Sequence, residues 1–506
     1  GRSMYRTGQA YILDCITSGL CASGMAHMTF LSWPMIFTLC SIGARSDWST
    51  CGTEPSGEQS TTEADQSTLL QMPAHKKASL QGPLPGEANV EIKEVRSLGQ
   101  VKTAVSSSTS APQEVTSLPG WGPTPLPSKI YSGFIEVDRV TGANLFYVFV
   151  SSQSHPDTDP LIWWMNGGPG ASSLVGLLQS VGPFLLNNTG NLVDNPYSWS
   201  RTANLLFVEF APGVGFSYCK HSFAGSNSSC KQSSSECSPC DASDSSVANQ
   251  NVIFIEKFLA EAFPAMAGRP LYLAGESYAG VYIPTLAIAI VNHFADTSIA
   301  NLKGLWVTDP CTSNKEQFGW LDMSPTFAYQ KGLISPEVYA TLTNASNGCF
   351  TGRTEVGDLI RSNATSACKL AWRLYDLALA GLGDAVHPPS IPGLKGLYID
   401  PLNAYGPAGG PDLGGYLNAT PTRKALHAEA SPNKFYHVEL GNNGYSNYFL
   451  EYAACNDNYI GNKGSMIPIY RELVGAARSK KASAGNLTRI IISGGDLDPV
   501  VITQGT

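Results

Sequence analysis

The stretch from Pro270 to Leu286 constrains this chain most: a short apolar run breaks at Gly275-Glu276-Ser277-Tyr278-Ala279-Gly280 and gives way to an apolar helical pattern. A strand that becomes a helix within so few residues needs small side chains at the bend, and Gly275, Ala279 and Gly280 supply them. Such a turn lifts the hydroxyl of Ser277 to the edge of a sheet, with the N-terminus of the next helix beneath it, as in a nucleophile elbow. The match departs from strict G-x-S-x-G, because Ala279 stands where the second glycine belongs. A serine in an ordinary strand-to-helix connection fits the same residues.

Other apolar runs set the architecture. Leu161-Ile162-Trp163-Trp164-Met165 is continuously apolar and runs into Asn166-Gly167-Gly168-Pro169-Gly170, a glycine turn whose backbone N–H groups can hold an anion. Asn204 to Phe210 reads as a second buried strand and ends at Pro212-Gly213-Val214-Gly215; Leu302 to Val307 reads as the next strand. A helical pattern from Asp244 to Phe263 precedes the serine strand, and strands alternating with helices predict an α/β protein with a mostly parallel central sheet flanked by helices. Tyr131–Val137 and Asn144–Val150 read as a hairpin around Thr141-Gly142. Helices are expected over Thr422–Ala430 and Ile467–Ala477. Arg489–Ser493 reads as a buried strand ending in Gly494-Gly495-Asp496-Leu497-Asp498, where an acidic side chain can orient an imidazole; equally, Asp496 and Asp498 can be turn formers.

With 506 residues, 43% of them hydrophobic and 14% charged, the chain can bury one large core. A net charge of -8 without a Lys/Arg-rich block argues against nucleic acid as a partner. Residues 1–45 read as a leader with a signal-peptide core over Phe30–Ile42, too short for a stable membrane span, and 46–117 as a disordered Ser/Thr/Pro-rich tail or propeptide. The core would then comprise 118–310 and 401–506, with a cysteine-rich insert at 219–243 and a helical cap-like insertion at 311–400. Sequons at Asn187, Asn227, Asn344, Asn363, Asn418 and Asn486 agree with the secretory pathway, as do eight cysteines beyond the leader and tail. Cys219, Cys230, Cys237 and Cys240 suit two local disulfides, with zinc as the alternative, and Cys349 and Cys368 read as a clip.

Three separated blocks, LIWWMNGGPGASSL, LYLAGESYAGVYIP and IIISGGDLDPV, together resemble the serine carboxypeptidases, α/β-hydrolase peptidases that include lysosomal cathepsin A and vacuolar carboxypeptidases. NLLFVEFAPGVGFSY and YLNATPTRKALHAE are supporting blocks. The resemblance implies Ser277 as nucleophile, Asp498 as triad acid, the amides of Gly168 and Tyr278 as an oxyanion hole, and Asn166, Gly167 and Glu276 as the site for a substrate's terminal carboxylate. Glu276 can face a carboxylate only if one of the two is protonated, which implies acidic pH. Peptide substrates and no cofactor or metal are implied, in a lysosome-like or vacuole-like compartment or outside the cell. Oligomeric state stays open, a homodimer included.

This fold orders its triad Ser, Asp, His. None of the eight histidines follows Asp498, so the family histidine is expected on a continuation beyond Thr506, and 1–506 alone is expected to be inactive. The family usually has Cys where Ala171 stands, which leaves Cys455 without its partner by position, and Glu where Ser180 stands. Its Asp-Ser-Pro-Ala is here Glu209-Phe210-Ala211-Pro212, and its Gly-Asn-Pro is Thr308-Asp309-Pro310. The leading reading is a peptidase working through an acyl-enzyme; an acyltransferase of the same lineage and an inactive secreted binding glycoprotein are the alternatives.

Overall fold

The computed structural model describes residues 9–13, 24–26, 111–219, 242–295, 297–313, 317, 323–344, 365–379, 412–433, 448–449, 451–452, 454, 465–478, 487–495 and 498. The expected signal core, the Cys230–Cys240 insert, Cys349, Cys455 and Asp496 lie outside them.

The strands follow in chain order as β1 (Gln9–Leu13), β2 (Gly24–Ala26), β3 (Gln113–Val115), β4 (Ile130–Asp138), β5 (Ala143–Val150), β6 (Leu161–Met165), β7 (Phe184–Leu186), β8 (Leu192–Asp194), β9 (Asn204–Val208), β10 (Ala242–Ser243), β11 (Pro270–Glu276), β12 (Asn301–Thr308), β13 (Tyr448–Phe449) and β14 (Arg489–Gly494). Ten of them form one sheet in the order β2-β1-β14-β12-β11-β6-β9-β5-β4-β3. Its centre, β14-β12-β11-β6-β9, is parallel, while β5, β4 and β3 on one side and β1 and β2 on the other pair antiparallel. β6, LIWWM, reads as an unbroken apolar run, as a parallel strand covered on both faces should, whereas β12 is interrupted by Lys303 and Gly304. All five residues of β9 are buried, as are all eight of β5.

The hairpin β4–β5 and strand β12 extend one residue or so past the expected runs. Order begins earlier than the composition of 46–117 implies: β3 pairs with β4, and Val115 is buried by that pairing. Gln9–Leu13 adds antiparallel to β14 with Ile12 opposite Ile491.

The helix Asp244–Lys257 begins at a capping box, Ser243 Oγ accepting from the N–H of Ser246 and Ser246 Oγ from the N–H of Ser243. A five-residue π-type turn, Phe258–Ala262, carries it on to Phe263. On that side of the sheet Tyr147 meets Phe254 and Phe258 edge-on at 5.9 and 5.7 Å. Elsewhere in the core Trp199 stacks on Trp306 at 4.9 Å and takes Trp164 edge-on at 5.5 Å. Each such pair contributes about 0.5–1.5 kcal/mol beyond its buried area.

The helix that follows β11, Ala279–His293, contains Pro284, which has no N–H for the carbonyl of Gly280; the hydroxyl of Tyr470, from the helix Ile467–Arg478, donates there instead at 3.4 Å. Met323–Gln330, Pro336–Thr343 and Ser366–Leu379 are helices that share a small core of Ala328, Leu342, Cys368 and Ala371. The helix expected over Thr422–Ala430 is shorter, Thr420–Ala425, because the chain turns at His427, which has φ 53°. Cys219, Cys311 and Cys368 are disulfide-bonded. Among the described residues no helix is long and apolar enough to cross a membrane.

Candidate active site

Ser277 sits where β11 ends and the helix Ala279–His293 begins, with φ 57°, a left-handed conformation that costs a non-glycine residue on the order of 1 kcal/mol or more. Backbone hydrogen bonds hold it there: its N–H donates to the carbonyl of Thr308 at 3.0 Å, and its carbonyl accepts from the N–H groups of Gly280 and Cys311, each at 2.9 Å. The glycine requirement is visible atom by atom. A Cβ on Gly275 would stand 2.2 Å from the carbonyl oxygen of Met165, and one on Gly280 would stand 2.4 Å from that of Cys311. Ala279 is tolerated because its methyl points at Gly275, which has no side chain to meet it.

The turn after β6 lies directly on this elbow. A Cβ on Gly167 would be 2.5 Å from the amide nitrogen of Tyr278 and 2.8 Å from Cβ of Ser277. Gly168 has φ 118°, and its amide, like that of Tyr278, has no hydrogen-bond acceptor among the described residues. Two backbone donors are thus left over beside the serine, one on a glycine turn and one at a helix start.

Asn166 is buried and its orientation is forced. Its Oδ1 accepts from the indole N–H of Trp164 at 2.8 Å and from the N–H of Gly176 at 3.0 Å, so its Nδ2 is the end that donates to Oε1 of Glu276, at 2.7 Å. Burial raises the pKa of Glu276 above the usual carboxylate range; the bond from Asn166 opposes that shift and the charge of Asp498 adds to it. The same side chain is therefore easier to protonate than an ordinary glutamate. Asp498 follows β14 on a turn in which its N–H donates to the carbonyl of Gly495 at 3.1 Å. It thus joins the site from the neighbouring strand but one, and its charge bears on both Glu276 and Asp309.

Three residues that sequence reading did not single out as site residues support this arrangement. Glu209, fully buried, accepts from Ser172 Oγ at 2.6 Å just behind the glycine turn, and burial pushes its pKa up to about 8. Asp244 accepts from the hydroxyls of Tyr278 at 3.0 Å and Tyr448 at 2.7 Å and from the N–H of Glu451 at 2.8 Å; burial pushes it up to about 6. Asp309 has φ 46° and accepts from the N–H of Gly495 at 2.7 Å. Glu209 and Asp309 left a mark in the sequence, as departures from the family's Asp-Ser-Pro-Ala and Gly-Asn-Pro; Asp244 left none.

Of the described histidines, Nε2 of His293 lies 3.1 Å from Glu256 and Nδ1 of His427 lies 2.9 Å from Ser132 Oγ, while His155 donates its backbone N–H to Asp159. Among the described residues no cluster of three or more His, Cys, Asp or Glu could hold a metal ion.

A mostly parallel sheet with a strained serine turn at the end of a central strand is an α/β-hydrolase fold. The family model for serine carboxypeptidases matches residues 119–498, and the chain belongs to that family of hydrolases. It is 31% identical over 400 residues to serine carboxypeptidase-like 32 of Arabidopsis thaliana, covering 74% of this chain and 75% of that protein. Serine carboxypeptidase 24 of the same plant is 31% identical over 431 residues, 80% of this chain and 81% of the other. Serine carboxypeptidase 1 of Hordeum vulgare is 34% identical over 256 residues, 49% and 47% of the two chains. A solved prohormone-processing carboxypeptidase from Saccharomyces cerevisiae has the same fold, with TM-score 0.51 at 22% identity over 75% of each chain.

Proposed function

We propose that the protein is a serine-type carboxypeptidase that releases C-terminal residues from peptides through an acyl-enzyme at acidic pH. The observation that carries this reading is the forced pairing of Asn166 with Glu276 beside Ser277: an amide donor and a carboxyl easily protonated are what a free peptide carboxylate needs as partners. A neutral ester or amide end would lack the charge that strengthens these bonds, which favours the peptidase over the acyltransferase reading.

In this mechanism the substrate carboxylate binds to Asn166, the N–H of Gly167 and protonated Glu276. Ser277 attacks the last peptide carbonyl, and the amides of Gly168 and Tyr278 receive the developing oxyanion. An imidazole oriented by Asp498 takes the serine proton and passes it to the leaving amino acid; in chain order that histidine follows Asp498. Water then attacks the acyl-enzyme by the same route, and Ser277 regains its proton. An exposed sequon at Asn344 and the disulfides of Cys219, Cys311 and Cys368 suit a secreted or vacuole-like location.

The test is turnover of an N-blocked dipeptide by the full-length protein between pH 4 and 8. Release of the C-terminal residue on the acid side, lost in Ser277→Ala, supports the reading; no Ser277-dependent release, and no labelling of Ser277 by an organophosphorus reagent, leaves the binding-protein alternative.

A further inference from the structure

The loop that carries Asp498 and the turn that carries Ser277 come from β14 and β11, with β12 between them. They are joined at the end of β12, by two consecutive residues. The carbonyl of Thr308 accepts from Ser277 N–H at 3.0 Å; the N–H of Asp309 donates to the carbonyl of Ser493 at 2.7 Å, and its Oδ1 accepts from Gly495 N–H at 2.7 Å. Asp309 also pays for this with a left-handed backbone, φ 46°, as Ser277 does. Of the three non-glycine residues with positive φ among those described, two therefore stand at this one junction.

We infer that Asp309 is a positioning residue, clipping the acid loop to the serine turn, and that its carboxyl, bonded to that loop at Gly495, sets an upper pH limit on the assembled site. The inference rests on the roles given above to Ser277 and Asp498. Among the described residues, the charged groups that bear on Asp309 are Asp498 from the loop after β14 and Glu276 from the end of β11, both acidic; the N–H of Gly495 opposes them. Burial foremost, and then the charge of Asp498, push Asp309 up to about 7. Around pH 5 its carboxyl is thus neutral, and the clip holds the acid loop without adding its own negative charge to that of Asp498. Above neutrality three carboxylates crowd one corner of the sheet, and the acid loop is driven from the serine.

A carboxyl held near 7 when folded and near 3.8 when unfolded stabilises the fold fully below 3.8, and that contribution is lost as pH rises toward 7. Asp309→Asn keeps the oxygen that accepts from Gly495 and tolerates the left-handed backbone, but cannot ionise. Asp309→Ala keeps neither.

The experiment measures the unfolding midpoint and, separately, kcat and KM on an N-blocked dipeptide from pH 4 to 8, for the full-length protein and both variants. In Asp309→Asn the midpoint is expected to fall less between pH 4 and 7 than in the parent, and the alkaline limb of kcat to move up by about one pH unit or more. Asp309→Ala is expected to lose roughly tenfold or more in kcat at pH 5 with KM little changed, and Asp309→Asn to restore most of it. Profiles of Asp309→Asn that superimpose on those of the parent, in both stability and kcat, overturn the inference. If the parent turns over no peptide, the proposed function fails, and the pH dependence of the unfolding midpoint still decides the role of Asp309; if Asp309→Ala does not fold, Asp309→Asn carries the test alone.

Discussion

Two carboxyl groups stand on either side of Ser277 and are buried by different means. Glu276 shares its pocket with an amide that can point only one way, because Trp164 and Gly176 hold the other end of Asn166. Asp309 shares its corner with another acid, Asp498, and with a single backbone donor from Gly495. Both are driven toward the neutral form, mainly by burial, but with different consequences. On the proposed function, the neutral carboxyl beside an amide serves to recognise an anion, and on the inference drawn above, the one beside a second acid is a joint that holds while it keeps its proton.

The comparison can be broken most forcefully at the glycines between the two sides. Gly167→Ala puts a methyl 2.5 Å from the amide of Tyr278, backbone against backbone, and neither partner can move without unseating Ser277. The expected cost is about 3 kcal/mol or more in chemical unfolding, with loss of organophosphorus labelling. Asn166→Ala comes next: it strands the N–H groups of Trp164 and Gly176 and removes the partner of Glu276. At about 1–3 kcal/mol for each buried group left unpaired, destabilisation of several kcal/mol is expected, together with a KM increase for peptides with a free carboxylate.

Ser277→Gly sharpens the account from the opposite direction. It abolishes turnover yet relieves a strained backbone, so the unfolding free energy is expected to rise by about 1 kcal/mol, and a drop would argue that φ 57° is not strained here. The smallest effect belongs to Glu209, which touches neither substrate nor serine. Its pKa is raised from 4.5 to about 8, so its stabilising contribution is complete below 4.5 and is lost as pH climbs through about 8. Glu209→Gln should therefore change little at pH 5, where the glutamate is neutral, and flatten the loss of stability on the alkaline side; a large deficit at pH 5 would mean that the glutamate is ionised in the fold.

Much of this was legible in the chain. The apolar run at 161–165 and the largely apolar stretches at 204–210 and 302–307 marked parallel strands, and Gly275, Gly280, Gly167 and Gly168 marked the close approaches, since only glycine fits them. The supports were not legible. Ser172 meets Glu209 across 37 residues, Tyr278 meets Asp244 across 34, and Gly495 meets Asp309 across 186. Such bonds leave no period and no local propensity, because the partners are brought together only by the order of strands in the sheet. The shortened helix at 420–425 has the same origin: its end is set by His427 turning back to Ser132 on β4.

The central claim, that Asn166 and Glu276 recognise a free carboxylate beside a nucleophilic Ser277, is tested most directly by offering the full-length protein one N-blocked dipeptide in two forms, free acid and C-terminal amide, at pH 5. The account predicts Ser277-dependent cleavage of the acid with the amide cleaved at least about tenfold more slowly, a gap that closes in Glu276→Ala. Equal cleavage of both forms, or cleavage that survives Ser277→Ala, would contradict it.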